Sequence, residues 1–172
     1  MKKIIIGFSR PIKWKPYAKA IMWVDGTNFD HLYLKFEPCD NMSLIYQASG
    51  NRTNFMGSQF FLKNNISVEE YQLIVTNQIH DDMLDLMQKR EGLKYAIKQV
   101  IGKGIAAIWN KIFKRKIKNP FPGNDIESDC IEEGAIILGL DPEANIDLDM
   151  NTVTPKPVRD YIAKNRAFRR IK

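Results

Sequence analysis

The run Ser128-Asp129-Cys130-Ile131-Glu132-Glu133-Gly134-Ala135-Ile136-Ile137-Leu138-Gly139-Leu140 is the most informative in the chain. Asp129 and Glu132 have the spacing of a capping box, with aspartate in place of the usual serine or threonine. That spacing makes Asp129 the cap and Cys130 the first helical residue. The apolar run behind them predicts a core helix, closed by Gly139 and by Asp141-Pro142. A cysteine in a first turn lies near unpaired backbone N–H groups and the positive end of the helix dipole. Both favour the thiolate, the reactive form, and the same N–H groups can receive an oxyanion.

A thiol nucleophile needs a base, most often histidine. The chain has two, His31 and His80. Phe29–Phe36 alternates as a strand, with His31, Tyr33 and Lys35 on one face and Leu32, Leu34 and Phe36 on the other. His80 opens the polar run His80-Asp81-Asp82 and reads as a surface or helix-start residue. His31 is therefore the candidate base. Its far nitrogen needs an orienting partner, and Gln47, polar within an otherwise apolar strand over Ser43–Ala48, is placed to provide it. Asp30 adjoins His31, but strand alternation points it to the opposite face. Cys39 lies in a predicted turn over Pro38–Asn41 with no base in register, and reads as structural.

Outward from these positions the chain reads as mixed α and β. Lys3–Phe8 is a short strand, Pro16–Val24 an amphipathic helix, and Phe55–Leu62 and Glu70–Thr76 are further strands. From Asp81 to Lys116 the pattern is helical, interrupted by Gly92, Gly102 and Gly104. Asn119-Pro120-Phe121-Pro122-Gly123-Asn124-Asp125 is a loop. A last helix is expected over Pro155–Asn165, capped by Thr154. Trp14, Trp23 and Trp109 are scattered and suit core or groove lining.

At 172 residues and 44% hydrophobic residues the chain can bury a core and is not a disordered segment. Its mean hydropathy is −0.33 and no apolar run approaches the ~20 residues of a membrane-spanning helix. The apolar run at the N-terminus stops after Ile4-Ile5-Ile6, so no signal peptide is expected and synthesis in the cytoplasm is. Two cysteines suit a reducing compartment and match no zinc spacing. Asp147-Leu148-Asp149 begins like a calcium loop but lacks its glycine and its final glutamate, and Gly102-Lys103-Gly104 is no phosphate loop. No metal or cofactor is expected. The net charge is +6, gathered in one stretch from Lys103 to Lys118 and another from Lys156 to Lys172. Such clusters suit a polyanion, whether nucleic acid, an anionic lipid surface or a wall polymer, and equally a solvated helix face that aids solubility.

His31-Leu32-Tyr33-Leu34-Lys35-Phe36, Tyr46-Gln47-Ala48-Ser49 and Cys130-Ile131-Glu132, in that order and spacing, resemble the permuted NlpC-like papain-fold cysteine peptidases and amidases, in which histidine precedes cysteine. Many of these are encoded by bacteriophages. The resemblance spans roughly residues 3–140. It implies an α+β, papain-like fold, an antiparallel sheet packed on the helix that bears the cysteine, with a catalytic domain over 1–140 and a basic C-terminal extension over 141–172. It further implies Cys130 as nucleophile, His31 as base and Gln47 as the group orienting His31. The expected activity is thiol-dependent hydrolysis of an amide bond, in bacterial peptidoglycan. A phage-encoded protein of this kind would be virion-associated or released at lysis. Two alternatives stand beside it. One keeps the fold as an acyl hydrolase or acyltransferase acting on a lipid-linked amide or ester, with the basic clusters at an anionic membrane surface. The other is a non-enzymatic phage structural or host-interaction protein whose basic tail contacts nucleic acid or a partner.

Overall fold

The computed structural model describes residues 1–13, 15–39, 42–115, 117–122 and 126–172. Trp14, Lys116, the tip of the Pro38–Asn41 turn, the Cys39 side chain and the end of the Asn119–Asp125 loop lie outside the described residues. Strand β1 (Lys2–Pro11) leads into helix α1 (Pro16–Asp25), then β2 (His31–Cys39), β3 (Met42–Ser49) and β4 (Arg52–Gly57). Next come α2 (Ser58–Leu62), β5 (Asn65–Val75), α3 (Asn77–Lys89) and β6 (Lys94–Tyr95). The chain then forms α4 (Ile97–Phe113), β7 (Glu127–Ser128), α5 (Cys130–Leu138), α6 (Pro155–Lys164) and β8 (Phe168–Arg170). The architecture is mixed α+β, with one eight-stranded sheet in the order β7-β6-β4-β3-β2-β1-β5-β8. Each neighbouring pair is antiparallel except β6 and β7, which run parallel and are joined through α4.

The central place of β1 follows from its sequence. Ile4, Ile5, Ile6 and Phe8 are all buried, so the strand is covered on both faces and its apolar residues run without alternation. Gly7 stands opposite Tyr33 of β2, and a methyl group there would lie 2.0 Å from the Tyr33 ring. Only glycine lets the ring lie flat across the strand. Tyr33 is held there by Glu70 Oε1 at 2.6 Å, beside Ser67. In β5, by contrast, Ser67, Glu69, Tyr71, Leu73 and Val75 alternate inward along the strand.

The main core lies on one face of the sheet. Leu32, Leu34 and Phe36 of β2 and Tyr46 and Ala48 of β3 meet Ile131, Ile137 and Leu138 of α5, with Met83 and Met87 of α3. A smaller cluster of Tyr33, Ile45 and Phe61 closes the other face. The face assignment expected for β2 is therefore the one observed.

Several elements differ from the sequence reading. Phe55–Leu62 is not one strand: β4 ends at Gly57 and α2 follows, with Phe61 buried beneath it. The helical stretch from Asp81 divides into α3 and α4, with β6 between. His80 is buried on α3, its ring edge-on to Phe36 at 5.7 Å, and not at the surface. The residues from Asp141, read as a basic extension, fold back onto the domain. Ala144, Ile146, Val153, Val158, Ile162 and Phe168 enter the main core, and β8 pairs with β5. Thr154 does not cap α6 through its own side chain. Asp25, the last residue of α1, accepts from the Thr154 hydroxyl at 2.6 Å and from Lys156 N at 3.2 Å. The cap of α6 thus comes from a helix far away in sequence.

Candidate functional site

Asp129 caps α5 as its spacing predicts, with Oδ1 accepting from Ile131 N at 2.9 Å and Glu132 N at 3.0 Å. The reciprocal arm of the box is absent: the Ser128 hydroxyl donates to Glu132 Oε2 at 3.3 Å. The other Asp129 oxygen receives Lys103 Nζ of α4 at 2.5 Å, and both side chains are buried. Cys130 is the first residue of α5 and is also buried.

Two contacts fix α5 against the sheet. Gly134, one turn after Cys130, sits so close to Leu32 that a methyl group would lie 2.5 Å from the leucine Cδ2. Glu133 accepts from Tyr46 Oη at 2.7 Å and from Arg90 in a two-pronged contact, with Nη2 at 2.7 Å and Nε at 3.1 Å. The Leu32 backbone N–H, on the peptide that joins it to His31, faces the Cys130 sulfur.

His31 begins β2, and its Nε2 lies 2.7 Å from Gln47 Oε1. The Gln47 amide nitrogen is turned to the Met56 sulfur at 3.4 Å, which can only accept, so the amide oxygen faces the ring. An oxygen acceptor requires the proton on Nε2. That tautomer leaves the lone pair on Nδ1, the basic nitrogen. The structure therefore joins His31 to Gln47 and brings Cys130 against the adjoining Leu32 peptide. Among the described residues no hydrogen bond links Cys130 to His31 directly.

Burial sets the protonation states. It pushes the Cys130 thiol up to about 12, with Asp129 and Asp30 adding to the rise and the Leu32 N–H and Lys103 opposing it. Burial likewise pulls His31 down to about 4, against the Gln47 hydrogen bond and the Asp129 carboxylate. At neutral pH the pair is thiol and neutral imidazole. Desolvation thus outweighs the helix-terminus effect that favours a thiolate.

Cys130 opens onto a cavity of about 280 Å³ between α1 and α4, walled by Tyr17, Ile21, Val24, Val100, Ile105 and Ile108. His31 opens onto a second, about 410 Å³, which shares Tyr17, Ile21, Asp30, Tyr95, Val100 and Ile101 with the first. Asp30 lines both, contrary to its expected direction. It precedes the first strand residue, so strand alternation does not govern it. It is buried, its Oδ1 has no hydrogen-bond partner, and burial pushes its carboxyl up to about 6. Lys103 also escapes the sequence reading. Its signal is its position among Gln99, Gly102 and Ala106, the buried face of α4.

No group of three or more metal-ligating side chains occurs among the described residues. No described helix is long and apolar enough to cross a membrane. The chain matches no protein-family model and no curated protein.

Proposed function

We propose that this chain is a cysteine hydrolase of permuted NlpC-like, papain-type build, cutting an amide bond with Cys130 as nucleophile, His31 as base and Gln47 as the positioning residue. The observation that carries this reading is the 2.7 Å contact between His31 Nε2 and Gln47 Oε1, which frees Nδ1 for the thiol proton. With both partners neutral at rest, proton transfer accompanies attack instead of preceding it. Nδ1 takes the proton as the sulfur bonds to the carbonyl carbon. The tetrahedral adduct then expels the amine, which carries that proton away and leaves a thioester. Water, deprotonated by the same nitrogen, releases the acid and restores the thiol.

The family resemblance points to a peptidoglycan amide as substrate. The cavity beside Cys130 favours a second reading, the acyl chain of a lipid-linked amide or ester. Most of its lining is isoleucine, valine, alanine and tyrosine, its polar members include Asp30 and Thr154, and the lysine within it, Lys103, is already held by Asp129. A stem-peptide carboxylate would find no unpaired cation there, whereas an acyl chain gains from apolar burial.

Turnover of purified sacculi and of long-chain acyl amides and esters, in the parent chain and in Cys130→Ala, His31→Ala and Gln47→Ala, tests the reading. Loss of Cys130 abolishes turnover, and loss of His31 lowers it by about 10²–10⁴-fold. Iodoacetamide alkylation of Cys130 stays slow at pH 7 in the resting protein, because the thiol is protonated. Turnover retained in Cys130→Ala, or a Cys130 that alkylates rapidly below pH 7 without regard to His31, overturns the assignment. Unchanged phenotype and binding in Cys130→Ala favour the non-enzymatic alternative.

A further inference from the structure

Helix α4 has one face buried in the domain and another whose apolar side chains are exposed among the described residues. Gln99, Gly102, Lys103 and Ala106 are buried. Ile97, Ile101, Ile105, Trp109 and Ile112 follow one another at helical spacing along the other side, and all are exposed. Phe113 extends this ridge and stacks on Trp109 with ring centroids 4.4 Å apart. Tyr17 and Trp23 of the adjoining α1 are exposed as well, Trp23 to 60%. Lys111 ties the two helices together, donating to Trp23 O at 2.7 Å with its ammonium over the indole ring. A contiguous apolar surface of this kind marks an interaction site.

The charge around the ridge identifies its occupant. Between Glu91 and Asp125 the sequence has no acidic residue, but seven lysines and one arginine. Lys98 and Lys111 on α4, with Lys114 and Arg115 just past its end, are exposed. A second copy of this face would set these cations against their own kind. A nucleic acid would meet the cations but gain nothing from a row of isoleucines. An anionic bilayer takes both: isoleucine, tryptophan and phenylalanine enter the acyl boundary while lysine and arginine reach the headgroups.

We propose that the α1–α4 face seats the protein on an anionic lipid surface, with α4 lying in the plane of the interface. Ile101 and Ile105 belong both to the ridge and to the cavity that reaches Cys130. The cavity mouth therefore faces the acyl region of the bilayer. Docking needs no turnover, so it stands or falls separately from the chemistry assigned to Cys130.

Co-sedimentation of the full chain with phosphatidylcholine vesicles, with and without phosphatidylglycerol, is the test, run in parallel on Cys130→Ala. Binding to the anionic vesicles is expected, at least tenfold weaker on the neutral ones, weakening with salt and unchanged in Cys130→Ala. A Trp109→Ser, Ile112→Ser, Phe113→Ser variant and a Lys98→Gln, Lys114→Gln, Arg115→Gln variant should each lose at least tenfold. All six side chains are exposed, and a parental urea midpoint establishes that each variant is folded. The proposal is overturned by absence of vesicle binding at low salt, or by full binding in the apolar-ridge variant. It is equally overturned if the ridge substitutions abolish self-association or nucleic-acid binding and leave vesicle binding untouched.

Discussion

Replacing Asp30 by Asn should stabilise the protein at pH 7.5 relative to its effect at pH 4. Asp30 is 8% exposed, one of its carboxyl oxygens has no hydrogen-bond partner, and burial raises the group from 3.8 to about 6. Its folded-state value lies above its unfolded one, so its contribution is fully present below about pH 3.8 and is lost as pH rises through about 6. A rise of about two units corresponds to roughly 3 kcal/mol lost by neutral pH. Asparagine has nearly the same shape and does not titrate. The variant-minus-parent difference in unfolding free energy should therefore grow by up to roughly 3 kcal/mol between pH 4 and pH 7.5. For a chain of this length that is a shift of about 5–10 °C in the melting difference. Any cost of burying the new amide N–H₂ is the same at both pH values and drops out. His31, displaced to about 4, has the opposite slope, gaining stability as pH rises from 4 toward 6.5, but it is present in both proteins and cancels. Urea unfolding followed by tryptophan fluorescence at the two pH values supplies the measurement. A difference that does not change with pH would refute the account of Asp30 as a buried carboxyl whose desolvation outweighs its own backbone N–H and Lys15. The same substitution should move Cys130 alkylation to lower pH, since Asp30 is one of the charges that hold the thiol up.

Glu133→Gln leaves Arg90 without its buried counter-charge and Tyr46 without its carboxylate acceptor. A loss of about 3–5 kcal/mol is expected, read as a lower urea midpoint at unchanged slope. Gly7→Ala forces a methyl group into the Tyr33 ring, which its hydrogen bonds to Glu70 and Ser67 prevent from swinging aside. It should destabilise by about 1–3 kcal/mol, and Tyr33→Ala in the same chain should make the Gly7→Ala step much cheaper in a double-mutant cycle.

The parts of the fold legible in the sequence are those where one local rule acts without competition. The unbroken apolar run of β1 is legible because both faces of the strand are buried, and the α5 start because Asp129 and Cys130 fall at the cap and first helical position. Gln47 stood out as a polar residue inside an apolar strand, and the structure gives it a partner in His31. What escaped depends on contacts between distant segments. Phe55–Leu62 is rich in aromatics and looks like a strand, yet a helix of five residues is too short to display a helical period. His80 carried a usable sign, since His80, Met83 and Met87 fall on one helical face, but the adjoining aspartates masked it. Asp30 and Lys103 were hidden because their neighbours at the site come from elements remote in sequence. The segment after Asp141 supplies core residues singly, separated by polar ones, and no periodic pattern announces them.

The position of β1 bears on how the chain acquires its structure during synthesis. Strand β1 is synthesised before both of the strands that flank it, β2 on one side and β5 on the other. Its hairpin with β2 can form early, but the second edge waits until residues 65–75 have emerged. Throughout that interval Ile4-Ile5-Ile6 presents unpaired backbone groups and apolar side chains, the features that promote intermolecular strand pairing. Lys2 and Lys3 before the run and Arg10 after it place charges on both flanks, where they hinder such pairing. Slow translation between β2 and β5 would therefore prolong the most aggregation-prone stage of this protein's life.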